Sequence, residues 1–311
     1  MGGDLGPRVA FKACRKLLAQ RADVQLLLVM TADYEEHARR VFASCPQVQI
    51  HLADNYVQMD DSPALVLRHK PQSSMAVALR LCAEGQAQGV LSTGNSGALM
   101  ALSRYLLGVQ EGIDRPALAA SLPTRGKPVL MLDLGANVLS SADQLVQFAR
   151  LGVAWKQAQG EPSPALALLN IGEESCKGTD SIKQAAAQLQ QEMPSYYQGY
   201  CEGNDLFAGE LDVVVCDGFV GNVALKTSEG LTAWLSDQVY LEFSRNWWTR
   251  ILFPILRPVF KRLIGKFSAS RYAGALLLGV NGVVVKSHGN SDDKTLLMAM
   301  QFLLKNLQKT D

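Results

Sequence analysis

Short, largely apolar runs alternate along this chain with segments of helical period, and most of the runs end in a polar, glycine-rich stretch. Val24–Met30, Val90–Leu91, Val129–Leu132, Ala165–Leu169, Val213–Cys216 and Gly282–Lys286 read as buried strands. Phe11–Gln20, Met75–Cys82, Ala98–Leu107, Leu145–Trp155, Ile182–Leu189 and Lys294–Leu307 carry apolar residues at helical spacing. A strand without polar alternation must be covered on both faces. The pattern therefore predicts an α/β fold with a largely parallel sheet between two helical layers. With 311 residues, 48% hydrophobic and 19% charged, one large domain over 1–311 can bury its core.

The glycine-rich stretches are Ser92–Gly97, Asp133–Asn137, Asn170–Gly178, Asp217–Asn222 and His288–Asp292. Open α/β sheets bind ligands beyond the carboxyl ends of their strands, so these five loops are expected to outline one site. In Ser92-Thr93-Gly94-Asn95-Ser96-Gly97, glycines admit a close ligand and the helix start offers free N–H groups to an anion. Capping of the helix by Ser92, Asn95 or Ser96 explains the same residues. The loop is neither a Walker loop nor a dinucleotide fingerprint. In Asn170–Asp180, Lys177 can present its ammonium to a phosphate or a developing oxyanion, or simply pair with Glu173 or Glu174. Cys176 beside it has the position of a nucleophile. In Asp217-Gly218-Phe219-Val220-Gly221-Asn222, Asn222 can donate to an oxygen while the glycines keep the approach open; Asp217 and Asn222 are equally suited to capping.

The net charge is +1, but no acid occurs between Glu242 and Asp292, where Arg245, Arg250, Arg257, Lys261, Arg262, Lys266, Arg271 and Lys286 lie. Residues 242–272 form a basic amphipathic segment. Trp247, Trp248, Leu256, Val259 and Leu263 are its apolar contacts, meeting either an anionic membrane or a second subunit. Arg68 and Lys70, with His69 and Arg80, offer a basic rim for an acidic partner protein. The six cysteines have no zinc spacing, and Cys14, Cys82 and Cys216 read as core residues. No signal peptide or membrane-spanning run is visible, which places the protein in the cytoplasm with peripheral membrane association.

Taken in order, the motifs resemble one family. Met1-Gly2-Gly3-Asp4, Ser92–Ala98, Gly112-Ile113-Asp114-Arg115-Pro116-Ala117 and Leu132-Asp133-Leu134-Gly135-Ala136-Asn137 are similar to the acyl-ACP:phosphate acyltransferases of bacterial phospholipid synthesis (the PlsX family). So are Asn170-Ile171-Gly172-Glu173-Glu174, Lys177-Gly178, Asp217–Asn222 and His288-Gly289-Asn290-Ser291-Asp292. The resemblance covers essentially the whole chain. It implies a three-layer α/β/α sandwich like isopropylmalate dehydrogenases and phosphotransacetylases. It implies acyl-ACP and inorganic phosphate as substrates, a homodimer, no organic cofactor, no metal and no nucleic acid. The acyl phosphate would pass to a membrane glycerol-3-phosphate acyltransferase. On the family pattern Lys177 and Asn222 are the active-site pair. Asp4, Ser92, Thr93, Gly94, Asn95, Ser96, Gly97, Asn137, Asp217, Gly218 and His288 are expected around the substrates, with His288 a candidate donor to the leaving thiol. Members begin with a short apolar strand before Met-Gly-Gly-Asp. If the protein itself lacks that strand, the sheet has a seam with unpaired backbone beside it; a sequence that begins downstream of the true start is the simpler explanation of the same gap.

A thioester is already activated and phosphate already carries a nucleophilic oxygen, so the expected mechanism is direct attack in a ternary complex without an acyl-cysteine. Two other classes remain in view. A metal- and NAD-dependent decarboxylating dehydrogenase would need an Asp cluster and a Tyr–Lys pair. A non-catalytic carrier-protein or membrane scaffold would make no product.

Overall fold

The computed structural model describes residues 1–246, 248, 253, 258, 259 and 274–308. Its strands are β1 Leu26–Met30, β2 Val48–Leu52, β3 Gly89–Ser92, β4 Ala117–Leu122, β5 Val129–Leu132, β6 Leu166–Leu169, β7 Tyr197–Cys201, β8 Val213–Val215, β9 Ala275–Leu278 and β10 Val283–Lys286. The helices are α1 Pro7–Gln20, α2 Glu35–Val41, α3 Pro63–His69, α4 Ser74–Ala83, α5 Ser96–Leu106, α6 Ala142–Ala158, α7 Asp180–Glu192, α8 Gly218–Arg245 and α9 Asp293–Leu307. Among the described residues no helix is long and apolar enough to cross a membrane.

The main sheet has eight strands in the order β3-β10-β9-β4-β5-β8-β6-β7. Both of its faces are covered, as the continuous apolar runs require. Leu130, Leu132, Leu166, Leu168, Val213 and Val215 pack with Phe148 of α6 and Leu189 of α7. The alternate residues Val129, Met131, Ala167, Leu169 and Val214 face the other way, against Leu206 and the start of α8 at Ala224 and Leu225. A second core joins Leu79 of α4 and Leu99 and Leu102 of α5 to Val90 and Val284.

Strand direction corrects the expectation of one row of loops. β3 and β10 are parallel, and so are β5, β8, β6 and β7. Between the two sets lie β9 and β4, with three successive antiparallel pairings. The sets therefore run in opposite directions. Their carboxyl ends overlap on one rung, where Leu91, Val285, Leu276, Ala119, Leu132, Val215 and Leu168 are successive partners. From that rung the Ser92 and Ser287 loops leave one way, and the Asp133, Asn170 and Asp217 loops leave the other.

β1 and β2 form a separate parallel pair. Between β1 and β3 lies a cavity of about 770 Å³, lined by Met1, Gly2, both strands and faces of α1, α4 and α9.

Candidate functional site

The site is organised around a carboxylate. Asp133, fully buried just after β5, accepts through Oδ1 from the N–H groups of Leu118 (2.9 Å), Gly135 (3.2 Å) and Ala136 (3.0 Å). Its Oδ2 accepts from Asn137 N (2.7 Å) and Asn137 Nδ2 (2.9 Å). Burial raises the Asp133 pKa from the ordinary value, and the hydrogen bonds from Ala136, Leu118 and Asn137 oppose that rise. All five neighbours are donors, so the loop is built round an ionised acceptor. Asn137 is itself buried and donates also to Pro116 O (2.9 Å), while its Oδ1 has no partner among the described residues.

This loop seats the start of α8. A Cβ on Gly218 would lie 2.0 Å from Asn137 O, and one on Gly221 1.9 Å from Asp133 O. The two glycines thus admit a protein backbone, where the sequence suggested an approaching ligand. Asp217 caps the helix, its Oδ1 accepting from Val220 N (2.9 Å). Asn222 is exposed beside Gly135.

One turn beyond Asn222, Lys226 reaches the loop after β10. Its Nζ lies 2.6 Å from His288 Nε2 and 2.7 Å from Glu229 Oε2. His288 Nε2 also lies 3.7 Å from Glu229 Oε2, so this one ring nitrogen faces both an ammonium and a carboxylate. Burial pushes the Glu229 carboxyl up, but His288 and Lys226 outweigh it and hold it below its ordinary value. Lys286, the last residue of β10, donates to Ser287 O. Burial, with the nearby charge of Lys226, lowers its pKa from 10.5 to about 8, and Asp4 works the other way. Asp4 N donates to Gly289 O (2.8 Å), and the Asp4 carboxylate lies against Gly289. Thr93 Oγ1 lies against Gly3. Asp4, Thr93, His288 and the Asn222–Lys226 face are thus gathered between the two sets of strands. Sequence reasoning gave no role to Lys226 or Glu229 and counted Lys286 only within the acid-free basic stretch after Glu242. The available signal was the four-residue spacing from Asn222 to Lys226 and a lysine closing the apolar run Val283–Lys286.

Other predicted residues serve the scaffold. The Asn95 side chain caps α5, accepting from Ala98 N (3.0 Å), and donates to Met59 O and Asp61 O (2.9 Å each). Ser92 Oγ accepts from Gly94 N (3.2 Å), Ser96 is the first residue of α5, and Gly97 packs on Pro63. Lys177 is exposed and makes no ion pair among the described residues, in contrast to the Glu173 or Glu174 pairing of a surface lysine. Asn170 Nδ2 donates to Gly172 O (3.0 Å) and Lys177 O (3.3 Å), folding that loop beside the Asp217 loop on neighbouring parallel strands. No hydrogen bond joins Lys177 to Asn222 among the described residues. All six cysteines are free; Cys176 is exposed, and Cys82 is only half-buried while Cys201 joins the core. No group of His, Cys, Asp and Glu among the described residues suits a metal ion.

The basic rim is less free than the sequence suggested. Lys70 pairs with Asp61 and donates to Tyr56 O, and Arg80 holds Gln72 and Pro71 O. Arg68 and His69 are exposed. Trp247, Leu256 and Leu263 lie outside the described residues, as does most of 242–272 beyond Asn246; Trp248 and Val259 are exposed.

The family model described as "Fatty acid synthesis protein" matches residues 1–309. The chain is 48% identical over 302 residues to a phosphate acyltransferase of Polaromonas naphthalenivorans (strain CJ2), covering 94% of this chain and 81% of the relative. It is 46% identical over 299 residues to a phosphate acyltransferase of Legionella pneumophila (strain Paris), covering 94% and 86%. Among solved structures, a phosphotransacetylase from Streptococcus pyogenes superposes with a TM-score of 0.64 at 15% identity, covering 98% of this chain and 91% of that one. At that identity the likeness speaks for the fold, which agrees with the α/β expectation.

Proposed function

Because this chain belongs to the fatty acid synthesis protein family of phosphate acyltransferases, we infer that it transfers an acyl group to inorganic phosphate. The enzyme is an acyltransferase that makes an acyl phosphate for phospholipid synthesis. The observation that carries this reading is identity of nearly half over 94% of the chain. Acyl-ACP is the proposed donor. A phosphate oxygen attacks the thioester carbonyl carbon, the C–O bond forms, the C–S bond breaks, and the thiolate leaves and takes a proton. The chemistry asks the protein to bring two anionic reactants together and to stabilise the tetrahedral oxyanion. Lys177 is proposed for the oxyanion and Asn222 for orienting the thioester. The exposure of both supports those roles, Lys177 on the loop after β6 and Asn222 near the start of α8, which follows the neighbouring β8.

Docking of acyl-ACP is assigned to Arg68 and Lys70. With Lys70 paired to Asp61, Arg68 carries the freer charge. A homodimer and peripheral contact with anionic membrane are also proposed. Support comes from α8, which leaves Leu231, Trp234, Leu235, Tyr240 and Leu241 exposed, each about half or more. The product, an amphiphilic acyl phosphate, gives a reason for handing over at a membrane to a glycerol-3-phosphate acyltransferase. The primary test is phosphate-dependent consumption of acyl-ACP with acyl phosphate trapped as its hydroxamate. A folded protein that forms none overturns the reading. Flotation with anionic against neutral liposomes, and sedimentation for the dimer, test the other two.

A further inference from the structure

We propose that Lys226 and Lys286, converging on His288 from α8 and β10, form the seat of the attacking inorganic phosphate. This rests on the acyl-phosphate reading and deepens it by naming residues that neither the sequence motifs nor the comparisons assign.

Three features point there. First, Lys226 and the His288 imidazole meet at 2.6 Å across β9 and β4, and Lys286, two residues before His288, is near enough to Lys226 for their charges to act on each other. Lys226 comes from a helix that starts on one side of the rung, and His288 and Lys286 come from a strand end on the other. Second, among the described residues only one of the two cations has an ion pair, Lys226 with Glu229 at 2.7 Å. The Lys226 ammonium has three donors, of which His288 and Glu229 take two among the described residues. Lys286 makes no ion pair within 4.0 Å among the described residues; its bond is to the carbonyl of Ser287. A desolvated ammonium beside a second ammonium is a cost to the fold, and its lowered pKa records that cost. A dianion between the two would remove it. Third, neutral donors surround the same point. Gly289 is buried, and its N–H donates to no protein acceptor among the described residues. Thr93 Oγ1, against Gly3, likewise donates to none. Phosphate oxygens accept from such a set of ammonium, N–H and hydroxyl groups.

Glu229 competes with phosphate for Lys226, so it sets how weakly phosphate is held. Removing its charge has the opposite effect to removing a lysine.

The phosphodiester of the carrier's prosthetic arm has similar chemistry, and separate titration of the two substrates distinguishes it. In the full chain, Lys226→Gln and Lys286→Met are expected to raise the KM for phosphate about 10- to 100-fold each, the loss typical of one charged hydrogen bond. The KM for acyl-ACP should stay within about twofold. Glu229→Gln should lower the KM for phosphate. Without any acyl donor, inorganic phosphate should raise the Tm of the wild type more than sulfate or chloride at equal ionic strength, and this rise should vanish in both lysine variants. Lys226→Arg, which keeps the charge, is the check should Lys226→Gln fail to fold. Unchanged phosphate KM in both lysine variants overturns the proposal, and so does a rise confined to acyl-ACP, which would give the site to the carrier. A wild type that shows the phosphate-dependent Tm rise but forms no acyl phosphate would retain the seat and overturn the acyltransferase reading instead.

Discussion

Asp133→Asn keeps the shape of the side chain at the centre of the site and turns one acceptor oxygen into an NH2 donor. Whichever way the amide turns, it faces existing donors. In place of Oδ2 it meets Asn137 N and Nδ2; in place of Oδ1 it meets the N–H groups of Leu118, Gly135 and Ala136. At least two buried N–H groups then lose their acceptor, at about 1–3 kcal/mol each. Relief of the buried charge returns part of this, since burial disfavours the carboxylate. The expected net loss is about 2–4 kcal/mol, a large share of the ~5–15 kcal/mol that holds a typical domain. Urea unfolding followed by circular dichroism should show a lower midpoint with an unchanged slope. Activity should fall too, because the 133–137 loop sits directly against Gly218 and Gly221 and so sets the position of Asn222. A midpoint equal to that of the wild type would refute the carboxylate as organiser of this loop.

Lys177→Ala should lose about 10²–10³ in rate with folding nearly intact, as expected for one oxyanion donor, and Asn222→Ala should lose less; a folded, fully active Lys177→Ala removes the residue from the mechanism. Cys176→Ser should remain active, and an acylated Cys176 peptide in a mass spectrum, with activity lost in the variant, would replace direct attack by a covalent route. Lys286 is protonated in both folded and unfolded chains below pH 8 and neutral in both above 10.5, so its desolvation cost is fully present at neutral pH and fades between those values. Lys286→Met should therefore stabilise the protein at pH 7 by an amount on the order of 3 kcal/mol, with the gain shrinking as pH rises through 8 to 10.5; equal stability gains at pH 7 and pH 10.5 would contradict this.

Many of the strands and helices could be read directly from the chain, though the apolar Ala275–Leu278 and Val48–Leu52 were not among them. Val129–Leu132 is apolar at every position because α6 and α7 cover one face and the start of α8 covers the other. Ala117–Leu122 and Tyr197–Cys201 escaped notice because alanine, serine, glutamine and glycine carry little strand signal. Their place is fixed by pairing with β5 and β9, and with β6. The 28-residue α8 was also missed. Its exposed residues include Phe219, Val223, Leu231 and Trp234, so no single polar face marks it as a surface helix.

For the site, local chemistry was legible and convergence was not. Glycines, asparagines and a lysine at strand ends named the loops, because those residues have few other reasons to cluster there. What they do depends on direction. A sequence cannot show that β3 and β10 run against β5, β8 and β6, since the reversal is made by three antiparallel pairings between residues far apart in the chain. Nor can it show that Gly218 and Gly221 face the backbone of Asn137 and Asp133, or that Lys226 meets His288 across 62 residues of chain. The sequence by itself determined the layers, the strand-end loops and the family, because hydrophobic period and turn chemistry act over a few residues. Tertiary structure alone decided which loops meet and which charges go unpaired, because those follow from hydrogen-bond register and burial, which are properties of the whole sheet.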